Sequence, residues 1–305
     1  MATVAILVNP TRPDAGALAE RTVEWLGEAG HEVRLLHLAP ADRAAGDVPS
    51  GELAGSDLTG ADLAVSLGGD GTFLRMVPLA YAARVPILGV NFGRLGYLLE
   101  VQPHQVHEVL TRTLAGTARY EERMVLAVTV TGTLTPAPGD DRSLAGDGLV
   151  CAKGDRWWVA LNEMVTEKTV PGHMVSLATY VDTEEFLAYK ADGVLVATPT
   201  GSTAYNLSAG GPVLEPSLPA FVMTPVAAHL AIQRSVVVPA GQVITVRVLA
   251  GRPAGLVVDG REAGRLTPGS SVVCRAAPER LRIVTPSARG FTAPLRRALT
   301  LGTQG

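Results

Sequence analysis

The sequence predicts an α/β domain built on a parallel sheet, followed by a domain dominated by β-strands. Over the first 119 residues, short unalternated apolar runs are separated by helical periodicity, the pattern of strands covered on both faces. Beyond about Tyr120 the period falls from 3.6 to 2, and Gly and Pro turns space many short runs. The 305 residues, 47% hydrophobic, suffice for two such cores.

The elements follow in order. Val4–Val8 is an apolar run ending at Asn9-Pro10, and Asp14–Gly30 is a helix whose Leu18, Val23, Trp25 and Leu26 form an apolar stripe. His31–Leu38 reads as a second strand and Ala39–Gly60, rich in Ala, Asp, Gly and Pro, as a loop. Ala61–Leu67 is a third strand stopping at Gly68-Gly69-Asp70-Gly71-Thr72, Phe73–Ala83 a helix interrupted by Pro78, and Val85–Val90 a fourth strand. Pro103–Ala115 is an amphipathic helix through Val106, Val109, Leu110 and Leu114. The second domain, placed at 120–285, has runs at Met124–Leu134, Trp157–Val165, Met174–Val181, Glu185–Lys190, Val194–Thr198, Val236–Val238, Val243–Leu249, Leu256–Asp259, Ser271–Arg275 and Leu281–Thr285. Gly132–Gly148 has turn chemistry throughout and reads as a mobile hairpin loop, and 286–305 as a tail returning to the first domain.

Composition excludes several functions. Charged residues are 18% of the chain and the formal charge is −3, so no basic footprint for nucleic acid exists. No apolar run approaches the roughly 18 residues of a membrane span, and MATVAILVNP lacks the basic start of a signal peptide, which implies a cytoplasmic protein. Cys151 and Cys274 are too few and too far apart for a disulfide framework or zinc site. His104 and His107, spaced i, i+3 without a third ligand, read as a solvated helix face.

Three segments can carry chemistry. Gly68-Gly69-Asp70-Gly71-Thr72 follows a buried strand, and its glycines let backbone N–H groups approach a phosphate without Cβ obstruction. It ends in neither GK[ST] nor the GxGxxG spacing, so it is no Walker or dinucleotide loop. Asp70 is then a carboxylate fixed where a reacting hydroxyl could meet it, or simply the cap of the next helix. The second segment, DGVLVATPTGSTAYNLSAGGPV from Asp192 to Val213, leads into a helix expected near Ser202. Its six hydroxyls (Thr198, Thr200, Ser202, Thr203, Tyr205, Ser208) offer a cradle for an anion and ribose hydroxyls, or a generic polar loop. The third, Leu161-Asn162-Glu163-Met164, places an amide and a carboxylate at a strand end, and alone reads as an ordinary turn.

Taken together, GGDGTFLR (Gly68–Arg75), PILGVNFGRLGYL (Pro86–Leu98), LNE (Leu161–Glu163) and the Asp192–Val213 block resemble the NAD kinase family in order and spacing. GGDGT alone is shared with lipid kinases and phosphofructokinases. The long TPTGSTAYNLSAGGP block with the Asn-Glu pair narrows the resemblance to NAD kinases of bacterial type. It implies a two-domain architecture, a Rossmann-like sheet plus a β-rich domain, also seen in diacylglycerol kinases. It further implies ATP- and Mg²⁺-dependent phosphorylation of the 2′-hydroxyl of the adenosine ribose of NAD, with polyphosphate as an alternative donor.

On this resemblance Asp70 is the catalytic base, and Gly68, Gly69, Gly71 and Thr72 bind the ATP phosphates. The NAD site comprises Asp70, Gly71, Arg75, Asn162, Glu163, His173, Lys190, Asp192, Thr203, Ala204, Tyr205, Asn206, Leu207 and Ser208. Lys190 stands where some members carry Arg, keeping charge but losing the planar fork. No metal is held by protein alone, Mg²⁺ riding on the nucleotide phosphates. The partners implied are NAD, ATP and further copies of the chain in a homodimer or homotetramer. Ala228-His229-Leu230, Arg234-Ser235 and Asp259-Gly260-Arg261 depart from the family pattern, leaving His229 and Arg261 without an assigned role. A related kinase for a lipid or sugar hydroxyl, and a silent NAD(P)-binding regulator, are the competing functions.

Overall fold

A computed structural model describes residues 1–37, 58–93, 98–135, 149–150, 156–229, 233–286, 290–292 and 295–296. Most of the expected 39–60 loop, the body of the 132–148 hairpin, Cys151 and most of the C-terminal tail lie outside these residues. The chain divides into two compact units, Met1–Arg123 with Leu281–Gly305, and Met124–Arg280.

The first unit runs β1 (Thr3–Val8), α1 (Pro13–Glu28), β2 (Glu32–His37), β3 (Leu63–Gly68), α2 (Asp70–Ala83), β4 (Ile87–Asn91), α3 (Val106–Leu114) and β5 (Arg119–Arg123). In the second, β6 (Leu126–Thr131), β7 (Leu134–Thr135), β8 (Leu149–Val150), β9 (Arg156–Ala160), β10 (Glu163–Lys168), β11 (Val175–Val181), β12 (Glu184–Ala191) and β13 (Gly193–Ala197) precede α4 (Tyr205–Ser208). There follow β14 (Ala220–Val226), β15 (Val236–Pro239), β16 (Ile244–Val248), β17 (Ala254–Val258), β18 (Arg261–Leu266) and β19 (Ser271–Ala276), before β20 (Leu281–Thr285) rejoins the first unit.

The first sheet has the order β2-β1-β3-β4-β20-β5, parallel except where β20 meets β5. β20, which periodicity alone placed in the second domain, therefore belongs to the sheet of the first. Val4, Ile6, Val65, Leu67, Leu88 and Val90 pack one face beneath α1 and α3, through Leu18, Leu26, Val106 and Leu110. On the other face α2 lies over β4 so tightly that a Cβ on Gly89 would meet the Phe73 ring at 2.7 Å. α2 is continuous through Pro78 and longer than the run expected from Phe73. Because β1 sends the chain to β2 on one side and β3 lies on the other, the carboxyl ends of β1 and β3 form a topological switch point, where open α/β sheets bind ligands. Gly68 to Gly71 sit there, with the Asn9 N–H bonded to the Leu67 carbonyl at 3.0 Å.

The second unit stacks two seven-stranded antiparallel sheets, β12-β11-β16-β19-β6-β9-β8 and β15-β14-β13-β10-β17-β18-β7. They share a core to which one contributes Leu126, Trp158, Leu177, Tyr189, Val246 and Cys274, and the other Met164, Val194, Val196, Phe221, Leu256 and Leu266. Of the tryptophan pair, Trp158 is buried in this core and Trp157 only partly covered. The run expected as one strand from Trp157 to Val165 is two strands in two sheets, and the chain crosses between them at Leu161-Asn162. β5, β8, β14 and β18 are strands beyond those the periodicity identified. Leu214 packs with Val165, Leu195 and Val222 on the outer face of the β10–β13–β14 sheet. Among the described residues no helix is long and apolar enough to cross a membrane.

Candidate functional site

In the first unit the site is a strand end followed by a helix N-terminus. Gly68 closes β3, and a Cβ there would meet the Thr72 Cβ at 2.7 Å, so the close return of the chain requires glycine. Gly69 is the N-cap of α2 and Asp70 its first residue, an acidic side chain in the first turn rather than at the cap position itself. The carboxyl is half-buried, and burial raises its pKa above the usual aspartate range. Gly71 is exposed, whereas Thr72 and Arg75 are buried on the inner face of α2. The Thr72 and Phe73 N–H groups donate to the Gly69 carbonyl, and the earlier amides of the turn, Gly69 to Gly71, lie at a helix N-terminus beside a carboxylate of elevated basicity, a setting suited to phosphate and to a hydroxyl proton.

In the second unit the site grows from the crossing between sheets. The Asp259 carboxylate, from the β17–β18 turn, accepts the N–H groups of Leu161 (2.7 Å), Asn162 (2.8 Å) and Glu163 (3.1 Å). The Asp259 N–H donates to the Glu163 carbonyl at 3.0 Å. From beyond β13, the Thr198 N–H donates to the Asn162 carbonyl at 2.8 Å and the Thr198 hydroxyl to that of Leu161. Gly201 lies so close that a Cβ would overlap the Asn162 carbonyl.

This arrangement leaves Asn162 half-buried and drives Glu163 under. The Glu163 carboxyl accepts the backbone N–H of Tyr205, while its Oε2 has no hydrogen-bond partner among the described residues. Burial first, then the negative charge of Asp259, pushes its pKa up to about 8. Burial likewise raises Asp259 to about 6, against the opposing pull of its three N–H donors and Arg261. Around the exposed Tyr205 gather Glu163, Glu167, Asp192 and Lys168, which all act on its phenol. Lys168 Nζ pairs with Asp192 at 2.6 Å.

The structure therefore brings Glu163, Asp192 and Tyr205 together and adds Glu167 and Lys168, which the motifs did not single out. The segment from Thr198 to Ser208 is more inward than its composition suggests. The Thr198, Ser202 and Thr203 hydroxyls donate to carbonyls of Leu161, Pro199 and Thr200, so only part of the expected hydroxyl cradle faces outward. The expected helix is a short 3₁₀ turn, Gly201–Thr203, followed by the single turn α4. Asn206 is wholly buried: its Nδ2 donates to Ser202 and Pro212 carbonyls at 3.0 Å, and its Oδ1 accepts from Thr224 at 2.7 Å. Thr203, Ala204 and Leu207 are half-buried and Ser208 exposed. His173 lies exposed in the β10–β11 turn, and exposed Lys190 in β12 has its carbonyl bonded by the N–H of exposed His229 at 2.8 Å.

Two family descriptions fit the chain, the ATP-NAD kinase N-terminal domain over residues 4–118 and the ATP-NAD kinase C-terminal domain over 161–285. NAD kinase 1 of Streptomyces avermitilis is 37% identical over 315 aligned residues, covering 98% of this chain and 87% of its own. The NAD kinase of Koribacter versatilis is 36% identical and spans 99% of both chains. A yeast NADH kinase complexed with NADH shares the fold at a TM-score of 0.78 and 22% identity, covering 100% of this chain and 89% of that one. An Archaeoglobus fulgidus NAD kinase in complex with ATP does so at 0.68 and 24%, covering 98% and 97%. The parallel-sheet unit with its GGDGT turn, the antiparallel unit with its Asn-Glu crossing, and relatives matching almost end to end make this chain a member of the NAD kinase family.

Proposed function

We propose that the chain transfers the γ-phosphoryl group of ATP to the 2′-hydroxyl of the adenosine ribose of NAD, yielding NADP and ADP. The observation that carries this is Asp70, a half-buried carboxylate of raised pKa in the first turn of α2, at the switch point of a parallel sheet. A ribose hydroxyl is a poor nucleophile at neutral pH. Asp70 takes its proton as the O–P bond forms, the bond from the γ-phosphorus to the bridging oxygen breaks, and its electron pair leaves with ADP. The amides of Gly69, Asp70 and Gly71 hold phosphate oxygens where charge develops. Asn162, Glu163, Asp192 and Tyr205 bind the dinucleotide, with Arg75, His173, Lys190 and the Thr203–Ser208 segment completing the set taken over from the family.

No three His, Cys, Asp or Glu side chains among the described residues gather as a ligand set. A divalent cation fits this site as part of the substrate, MgATP, with phosphate oxygens supplying most of its ligands. Self-association into a homodimer or homotetramer belongs to the same reading.

The test is NADP formation from NAD and MgATP by the purified protein, read through an NADP-specific dehydrogenase. Wild-type protein turns over, and Asp70→Asn lowers kcat by ~10²–10⁴-fold while keeping NAD affinity within a factor of a few. No NADP from folded protein that binds NAD would favour the regulator. Near-wild-type turnover in Asp70→Asn would remove Asp70 from the base role.

A further inference from the structure

Asp259 touches the crossing loop with both carboxylate oxygens and stands at φ 46°, a left-handed conformation, immediately before Gly260 at φ 73°. Asp-Gly is the favoured pair for a two-residue hairpin turn with positive φ at both residues, so the β17–β18 turn itself sets this conformation and holds the carboxylate against the crossing. The carboxylate gathers three consecutive amides of the chain that leaves one sheet for the other, and its own N–H returns a bond to Glu163. Asn162 is clamped from the opposite side by Gly201 and the Thr198 N–H. ALNEMV holds no Gly or Pro and only Asn162 as a turn former, and the break between β9 and β10 is fixed from 96 to 98 residues away.

We propose that Asp259 is the positioning residue for the dinucleotide site: its carboxylate fixes the backbone from Leu161 to Glu163 and so aims the Asn162 and Glu163 side chains at NAD. This rests on the NAD kinase reading above. Asp259 acts through that backbone and is not itself assigned to substrate. It also faces the Glu163 carboxyl, whose other neighbours are the Tyr205 N–H and phenol of α4, while Arg261 on β18 faces Asp259 itself. Removing the Asp259 charge therefore lets Glu163 ionise at lower pH.

The experiment compares Asp259→Asn and Asp259→Glu with wild-type enzyme in steady-state kinetics across pH. Asp259→Asn retains size but puts an NH₂ where an oxygen accepted an amide. Its KM for NAD rises about tenfold with KM for ATP and kcat little changed, because misplaced binding groups weaken one substrate selectively. The pH midpoint governing KM for NAD also moves down. Asp259→Glu keeps the charge and misfits the amides, so KM rises while the midpoint stays near the wild-type value. A wild-type KM for NAD in folded Asp259→Asn, with only a lower Tm or active fraction, overturns the proposal.

Should neither variant fold, amide hydrogen exchange on wild-type protein decides. Protection of Leu161, Asn162 and Glu163 and affinity for NAD fall together as pH drops through about 6, where Asp259 protonates. Protection lost with affinity intact overturns the proposal equally. Wild-type protein that neither binds NAD nor makes NADP sinks the kinase reading instead, so the two failures are distinguishable.

Discussion

The turn after β3 and the crossing between β9 and β10 reach a ligand-ready backbone by opposite means. The first is local: Gly68, Gly69 and Gly71 surround Asp70 within four residues, and helix geometry itself supplies the unsatisfied N–H groups. The second is assembled from distant segments. Asp259, Thr198, Gly201 and Tyr205 all converge on Leu161-Asn162-Glu163, and Thr224 and Pro212 hold the neighbouring Asn206. The difference teaches where each region is vulnerable. Substitutions at the crossing cost stability first, because they break contacts the fold needs. At the glycine turn Gly68 is held as Gly201 is, but a Cβ on Gly69 meets none of the described residues, so substitution there is expected to cost chemistry first.

The largest stability effect is expected at Gly201. A methyl group would collide with the Asn162 backbone, which Asp259 and Thr198 prevent from moving aside. Gly201→Ala should cost about 3 kcal/mol, the upper range for overpacking into backbone. At roughly 2–4 °C per kcal/mol, a thermal melt should show Tm lowered by about 10 °C. An unshifted Tm would mean that the crossing is softer than its hydrogen bonds suggest, and the contrast between the two regions would lose its basis.

Legibility follows the same division. β1, β3, β4 and the GGDGT turn were readable because each is a contiguous run with its punctuation beside it. The Asn162-Glu163 pair reads as a strand end or ordinary turn, yet it lies inside a run, Trp157–Val165, that reads as one strand, since WWVALNEMV contains no Gly or Pro and the residue that fixes its break is Asp259. β14 was hidden by Pro225, yet β15 pairs only with Ala220 to Met223, so the missing N–H of Pro225 is not demanded on that edge. β5, reading RYEER, is a charged edge strand, and β18 carries Gly264 at φ 140° beside a register shift, so neither shows clean alternation. Asn206 and Ser202 lie in the most recognisable block of the sequence, and only the structure reveals that their side chains serve the scaffold.

A smaller effect, and one with a pH signature, is expected at Glu163. Its carboxyl is raised from 4.5 to about 8, so the folded protein holds a proton that the unfolded chain releases between those values. Stability attributable to this group is full below about pH 4.5 and declines as pH rises towards 8, by up to ~1.4 kcal/mol per pH unit. Glu163→Gln removes that slope. The Tm of the variant should gain on wild type steadily from pH 5 to pH 8 and then run parallel. A constant offset across this range would show that Glu163 is already ionised in the folded state, and that the crossing tolerates a buried charge.

The smallest stability effect belongs to Gly69, and it tests the other half of the comparison. Its φ of −107° and ψ of −171° are extended backbone open to any residue, and a Cβ built there meets, beyond its chain neighbours, no atom of the described residues within 4 Å. The fold itself therefore gives no reason for glycine, in contrast to Gly68 and Gly201, where neighbouring atoms forbid anything larger. Gly69→Ala should cost only about 0.5–1 kcal/mol as an exchange at a helix N-cap. If phosphate oxygens seat against the amides of this turn, the same methyl group occupies their approach. KM for ATP should then rise by about tenfold or more while KM for NAD and Tm barely move. Such a variant, stable and selectively weakened for ATP, would show that the space above Gly69 is kept open for the nucleotide. Unchanged KM for ATP would move the phosphates off this turn and leave Asp70 as its sole chemical contribution.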